Sequence, residues 1–93
     1  MFISKISIER LDPGLYSWQV SCAEKVVDRD AGNTSVAGCL NNAVHVIPPH
    51  VALVEILYCG AHMATMSVSA VRENAIDVAR QIKSLHSALV ETA

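Results

Sequence analysis

The sequence predicts an α+β domain of order β-β-β-α-β-β-α, with a single mainly antiparallel sheet and two helices packed on one face. Three observations carry this. Apolar residues alternate with a period of two in the first segments, Pro and Gly stand where such runs stop, and the last third repeats apolar residues every three or four positions. The helical pattern is the longest: Val71, Ala75, Val78, Ile82, Leu85 and Leu89 make one stripe, because residues three or four apart share a helix face.

The first strand runs from Phe2 to Ile8, with Phe2, Ile6 and Ile8 facing the core and Lys5, Ser7 and Glu9 facing water. Asp12-Pro13-Gly14 ends it: Pro presets φ for the second turn position and Gly supplies the positive φ of a type II turn at the third. Leu15 to Cys22 alternates again, so the two segments form a hairpin. Glu24 to Asp30 sets Val26-Val27 among charges, the composition of a third strand near an edge. Ala31-Gly32-Asn33 breaks it, and Asn33, Thr34 or Ser35 caps a helix with Val36, Leu40, Ala43, Val44 and Ile47 on one face. Pro48-Pro49 stops that helix, since residues before proline avoid the helical region. Val51 to Cys59 is apolar except at Glu55, which predicts a strand buried on both faces at the centre of the sheet. Gly60 marks the next break, Met63 to Val68 returns as a strand, and Ser67 or Ser69 opens the last helix, Ser69 to Glu91.

Ninety-three residues suit one domain, 1–93, and a chain this short buries only about 60 to 65% of its unfolded surface, so association with another surface would add to its stability. The net charge of −2, with Lys and Arg scattered, gives none of the basic footprint that direct nucleic-acid binding needs. No apolar run reaches membrane-spanning length, and the opening Met-Phe-Ile-Ser-Lys has no leader-like core, so a cytoplasmic location is expected. Cys22, Cys39 and Cys59 are odd in number and widely spaced, which predicts reduced, mostly buried thiols.

Chemistry is sparse. Cys59-Gly60-Ala61-His62, with His50 upstream, is half of a zinc-ligand pattern; the second pair is missing, so the expectation is a plain turn with a buried Cys59 and an exposed His62, and no metal. Cys59 with His62, or Cys39 with His45, has the residue types of a thiolate and its base, but an inert buried thiol is the simpler reading. Asp28 and Asp30 share a strand face, as paired acid–base carboxylates would, and are also what a solvated edge looks like. Gly32, Gly38 and Gly60 build no phosphate-cradling motif, so no cofactor is expected. Tyr16 and Trp18 share a face that could stack a base, yet lack interleaved cations, and core packing is the expectation. On the last helix, Ile76, Ala79, Ala88 and Val90 lie beside or away from the stripe and are the candidate interaction surface.

The strand Ile3 to Arg10, the Gly14-Leu15-Tyr16 start of the second strand, the third strand ending at Asp30-Ala31-Gly32, and the helix opening Asn33-Thr34 and continuing through Leu40, Asn42-Ala43 and Val46-Ile47 resemble the opening of HicB-like antitoxins. That family has a partial ribonuclease-H-like fold. Its usual Pro-x-x-x-Gly-Cys feature is absent, Ser21-Cys22-Ala23-Glu24 standing there instead, and no functional residue carries over. The resemblance implies a catalytically inactive domain that oligomerises and masks a small toxin. Residue chemistry and resemblance together lead to one expectation, a non-enzymatic domain that acts through protein contact, as a homodimer or as half of a complex. The rival is a small enzyme or ligand-binding protein using the Cys59/His62 or Asp28/Asp30 region.

Overall fold

The computed structural model describes residues 3–23 and 25–92, except the side chains of 90–92. Phe2 and Glu24, assigned above to the first strand's core face and to the start of the third strand, lie outside the described residues. The elements are β1 Ile3–Asp12, β2 Leu15–Cys22, β3 Lys25–Asn33, α1 Val36–Val46, β4 Leu53–Tyr58, β5 Ala61–Ser67, α2 Val68–Glu73 and α3 Ala75–Thr92. They form one five-stranded sheet of order β3-β2-β1-β4-β5.

Local chemistry accounts for most boundaries. Gly14 takes φ 75° after Pro13, as the type II turn requires. Ser35 is the N-cap of α1, its hydroxyl accepting the Gly38 N–H at 3.0 Å, and Ser67 caps α2 by accepting the Ala70 N–H at 3.1 Å. Cys59 and Gly60, at φ 51° and 82°, form the two-residue turn between β4 and β5; positive φ at both central positions matches the right-handed twist of the strands.

Three of the four strand pairs are antiparallel, and β1 with β4 is parallel. A parallel pair needs a crossover, which α1 supplies. The central strand is therefore β1 and not the apolar run from Val51 to Cys59. Nor is β4 buried on both faces: Val54, Ile56 and Tyr58 are buried, while Leu53, Glu55 and Leu57 are half-buried on a face that no helix covers among the described residues. On the covered face α1 packs over β2, and α3 packs beside α1 and over β5. Ile6, Ile8, Trp18 and Val20 meet Leu40, Val44, Val71 and Ile82 in the core between the layers. Among the described residues the Trp18 indole N–H, buried there, has no hydrogen-bond partner.

The last helix is divided. Asn74 leaves helical geometry at φ −130°, ψ 37°, although its N–H still reaches Ala70 O at 3.0 Å and its carbonyl still accepts from Val78 N at 2.9 Å. Asn is a weak helix former because its amide competes for backbone groups, so the bend falls at this residue without breaking the bond ladder on either side. No helix is long and apolar enough to cross a membrane among the described residues.

Candidate functional site

The Cys59-x-x-His62 segment does not assemble a thiolate and base. Cys59 is exposed rather than buried, because it occupies the first position of the hairpin turn and not the end of the strand. His62 stands on β5 beside Leu57 in the register, on the uncovered face. Its Nε2 lies 3.1 Å from Thr65 Oγ1 and 4.0 Å from Glu55 Oε1, and Glu55 and Thr65 are cross-strand partners. Glu, His and Thr are the residue types of a nucleophile relay, but a relay hands one ring nitrogen to the hydroxyl and the other to the carboxylate. Here a single nitrogen faces both, which is the arrangement of an exposed polar cluster. The one sequence signal for it is Glu55 itself, the single charge inside an apolar strand.

The second Cys and His pair is further from reactivity. Cys39 is fully buried in α1, and burial pushes its thiol up to about 11, away from the thiolate a nucleophile needs. His45 is exposed and turns Nδ1 toward the carbonyl of Asn41 one helical turn back, at 2.5 Å. Cys22, half-buried at the end of β2, lies with its sulfur 2.6 Å from Ser4 Oγ. Among the described residues, no three His, Cys, Asp or Glu side chains converge where they could hold a metal ion.

Asp28 and Asp30 do share a face of β3, opposite Val20 and Trp18 in the register, but both are exposed. Each carboxylate accepts the next residue's backbone N–H at 2.8 Å, the local side-chain-to-backbone contact of a solvated edge. Tyr16 and Trp18 lie in the core, 6% and 5% exposed, and offer no stacking platform.

The chain matches no protein-family model, no curated protein and no solved structure. Function must therefore be read from surfaces. On α3 the four residues singled out from the sequence do not make one patch. Ile76 is 69% exposed and Ala88 is exposed, but Ala79 is buried against the core, and the side chain of Val90 lies outside the described residues. Helical spacing also turns Ala88 about 120° away from Ile76.

The exposed apolar surface lies instead on the stripe itself. Val71, Val78 and Ile82 are buried, whereas Leu85 and Leu89 are 48% and 52% exposed. Spacing places Leu85 about 160–180° around the helix from Ile76, Lys83 and Ser87. Ile76 shares a surface groove with Ala37 and Asn41 of α1, while Lys83 and Ser87 face a cleft over the inner strands. Leu85 thus points away from α1, on the side of the free edge of β5.

Proposed function

We propose that this chain is a non-enzymatic protein-interaction domain whose partner is a second copy of itself, joined along the outer flank of α3 and the adjoining edge of β5. The observation that carries the reading is the half exposure of Leu85 and Leu89, two large apolar residues that continue the core stripe of α3. A two-fold contact needs a surface complementary to itself. Both elements qualify, since an edge strand pairs antiparallel with its own copy and two helices can pair by apolar residues at spacing three and four. Between the two edge strands, β5 is the more suited to pairing. Lys25, Asp28, Arg29 and Asp30 guard β3, and its pairing with β2 is interrupted at two places, both devices that keep an edge from being extended. Residues 61–67 of β5 carry no Lys, Arg, Asp, Glu or Pro.

The resemblance of residues 3–47 to HicB-like antitoxins supports a second form of the same reading, with a small basic toxin on that flank, to which a net charge of −2 is suited. Three free cysteines favour a reducing compartment, and we place the protein in the cytoplasm.

Light scattering on the full chain and on a Leu85→Glu, Leu89→Glu variant tests the proposal. A dimeric parent and a monomeric variant with an unchanged circular dichroism spectrum are the expected results. A parent that stays monomeric at high concentration, or a dimer that the variant leaves intact, would overturn self-association through this flank. A monomer that forms a stoichiometric complex with a purified small basic protein encoded beside it would replace the second copy with the toxin.

A further inference from the structure

We propose that the cleft between the inner strands and the second half of α3, bounded by Arg10, Tyr16, Tyr58, Lys83, His86 and Ser87, is a binding site for a phosphoryl group. The inference is independent of self-association, because Lys83 and Ser87 lie on the flank of α3 opposite Leu85. The cleft has a volume of about 240 Å³, room for a phosphate with a small organic group attached. Its lining is two permanent cations, one imidazole and three hydroxyls. In a chain with nine acidic and seven basic residues, no carboxylate is among those six.

The floor is built by the fold. Arg10 faces Tyr16 in the register of β1 with β2, and Tyr58 stands beside Ile8 in the parallel register of β1 with β4. The tyrosines are 6% and 4% exposed, so their hydroxyls are held in place by packing. β2 and β4 flank β1 in the sheet, so Tyr16 and Tyr58 stand on either side of β1 and both line the cleft. The imidazole of His86 meets the Tyr58 ring edge-on, with centroids 4.8 Å apart and planes at 77°, which fixes the wall that α3 contributes. Arg10 and Lys83 are exposed at the mouth.

These groups match a phosphoryl dianion better than a carboxylate. The Arg fork takes two oxygens, Lys supplies a point charge, and the hydroxyls donate to what remains; a carboxylate would satisfy the Arg and leave the second cation without a charge to meet. Low-dielectric walls around like charges also concentrate the field on an entering anion.

Calorimetric titration of the full chain with inorganic phosphate and, separately, with phosphoserine tests the site. Binding in both titrations is expected, tighter for phosphoserine if the natural ligand is the phosphoryl end of a larger molecule and equal if it is free phosphate. An Arg10→Gln, Lys83→Gln variant should lose affinity about tenfold or more, and Lys5→Gln, Lys25→Gln, which changes net charge equally elsewhere, should lose less than about twofold. In the parent, phosphate should move the NMR signals of the His86 and Tyr58 rings. No binding of either ligand at roughly 10 mM, equal losses in the two variants, or binding without a response from His86 and Tyr58 would each overturn the assignment.

Discussion

Truncating Ile82 and Leu85 separately to alanine isolates what the stripe on α3 does. The two are neighbours on one helix, yet Ile82 is 1% exposed and Leu85 48%. Ile82→Ala removes three buried carbons. At about 0.8 kcal/mol each the transfer loss is about 2.4 kcal/mol, and an incompletely collapsed cavity raises the total to about 3–4 kcal/mol. Leu85→Ala deletes as much hydrocarbon, but about half of it already faces water and no closed cavity remains, so the cost is about 1 kcal/mol. A domain of this size is stable by about 5–14 kcal/mol, so the first variant loses a large fraction of its margin and the second little. Urea unfolding at low micromolar concentration, with equal m-values required, measures both. Raising the protein concentration should then widen the gap between parent and Leu85→Ala, because only Leu85 belongs to the proposed contact between copies. If Leu85→Ala costs as much as Ile82→Ala at the lowest concentration, Leu85 is a core residue and the stripe has no free end.

Three further outcomes follow from the geometry. Cys59 holds φ 51° at the first position of a two-residue turn followed by Gly60, and Cys59→Asn, which gives the favoured Asn-Gly pair, should stabilise the protein by about 0.5–1 kcal/mol in the same unfolding assay. A thiol reagent at pH 8 should label Cys59 first, Cys22 more slowly, and Cys39 only on unfolding, as read by peptide mass spectrometry. Burial and the neighbouring Tyr16 push the Tyr58 phenol from 10.0 up to about 12, so the folded state holds this proton more tightly than the unfolded state. That contribution is fully present below pH 10 and is lost between pH 10 and about 12. Tyr58→Phe should flatten that part of the stability profile, while the contribution of Cys39, whose thiol is raised from 9.0 to about 11, is present below pH 9 and is still lost between pH 9 and about 11 in the variant.

The parts of the fold legible in the sequence were those written in short-range chemistry. Period-two alternation identifies the core faces of β1 and β2, Ser35 and Pro48-Pro49 bracket α1, and Pro13-Gly14 turns the first hairpin. What failed depended on distant parts of the chain. The apolar run of β4 suggests burial on both faces, but Leu53 and Leu57 lie on an uncovered face among Lys5, Ser7 and Glu55, and hydropathy alone cannot tell an interior strand from one covered on a single side. Spacing finds the face of the last helix but not how far along it the rest of the chain packs, so Leu85 and Leu89 read as core although they are half exposed. Asn74 interrupts the helix inside an unbroken stripe, where periodicity has no means of registering one bent residue. The phosphoryl cleft has no linear motif at all: Arg10, Tyr16, Tyr58 and Lys83 come from four elements that only the sheet order and α3 bring together.

Self-association through the outer flank of α3 is tested most directly by isotope-filtered NMR on a mixture of labelled and unlabelled chains. The account predicts nuclear Overhauser contacts between the methyl groups of Leu85 and Leu89 in one copy and the same flank of the other, together with contacts across β5. Their absence at concentrations where the protein is dimeric, or contacts centred on Val26 and Val27 of β3 instead, would contradict it.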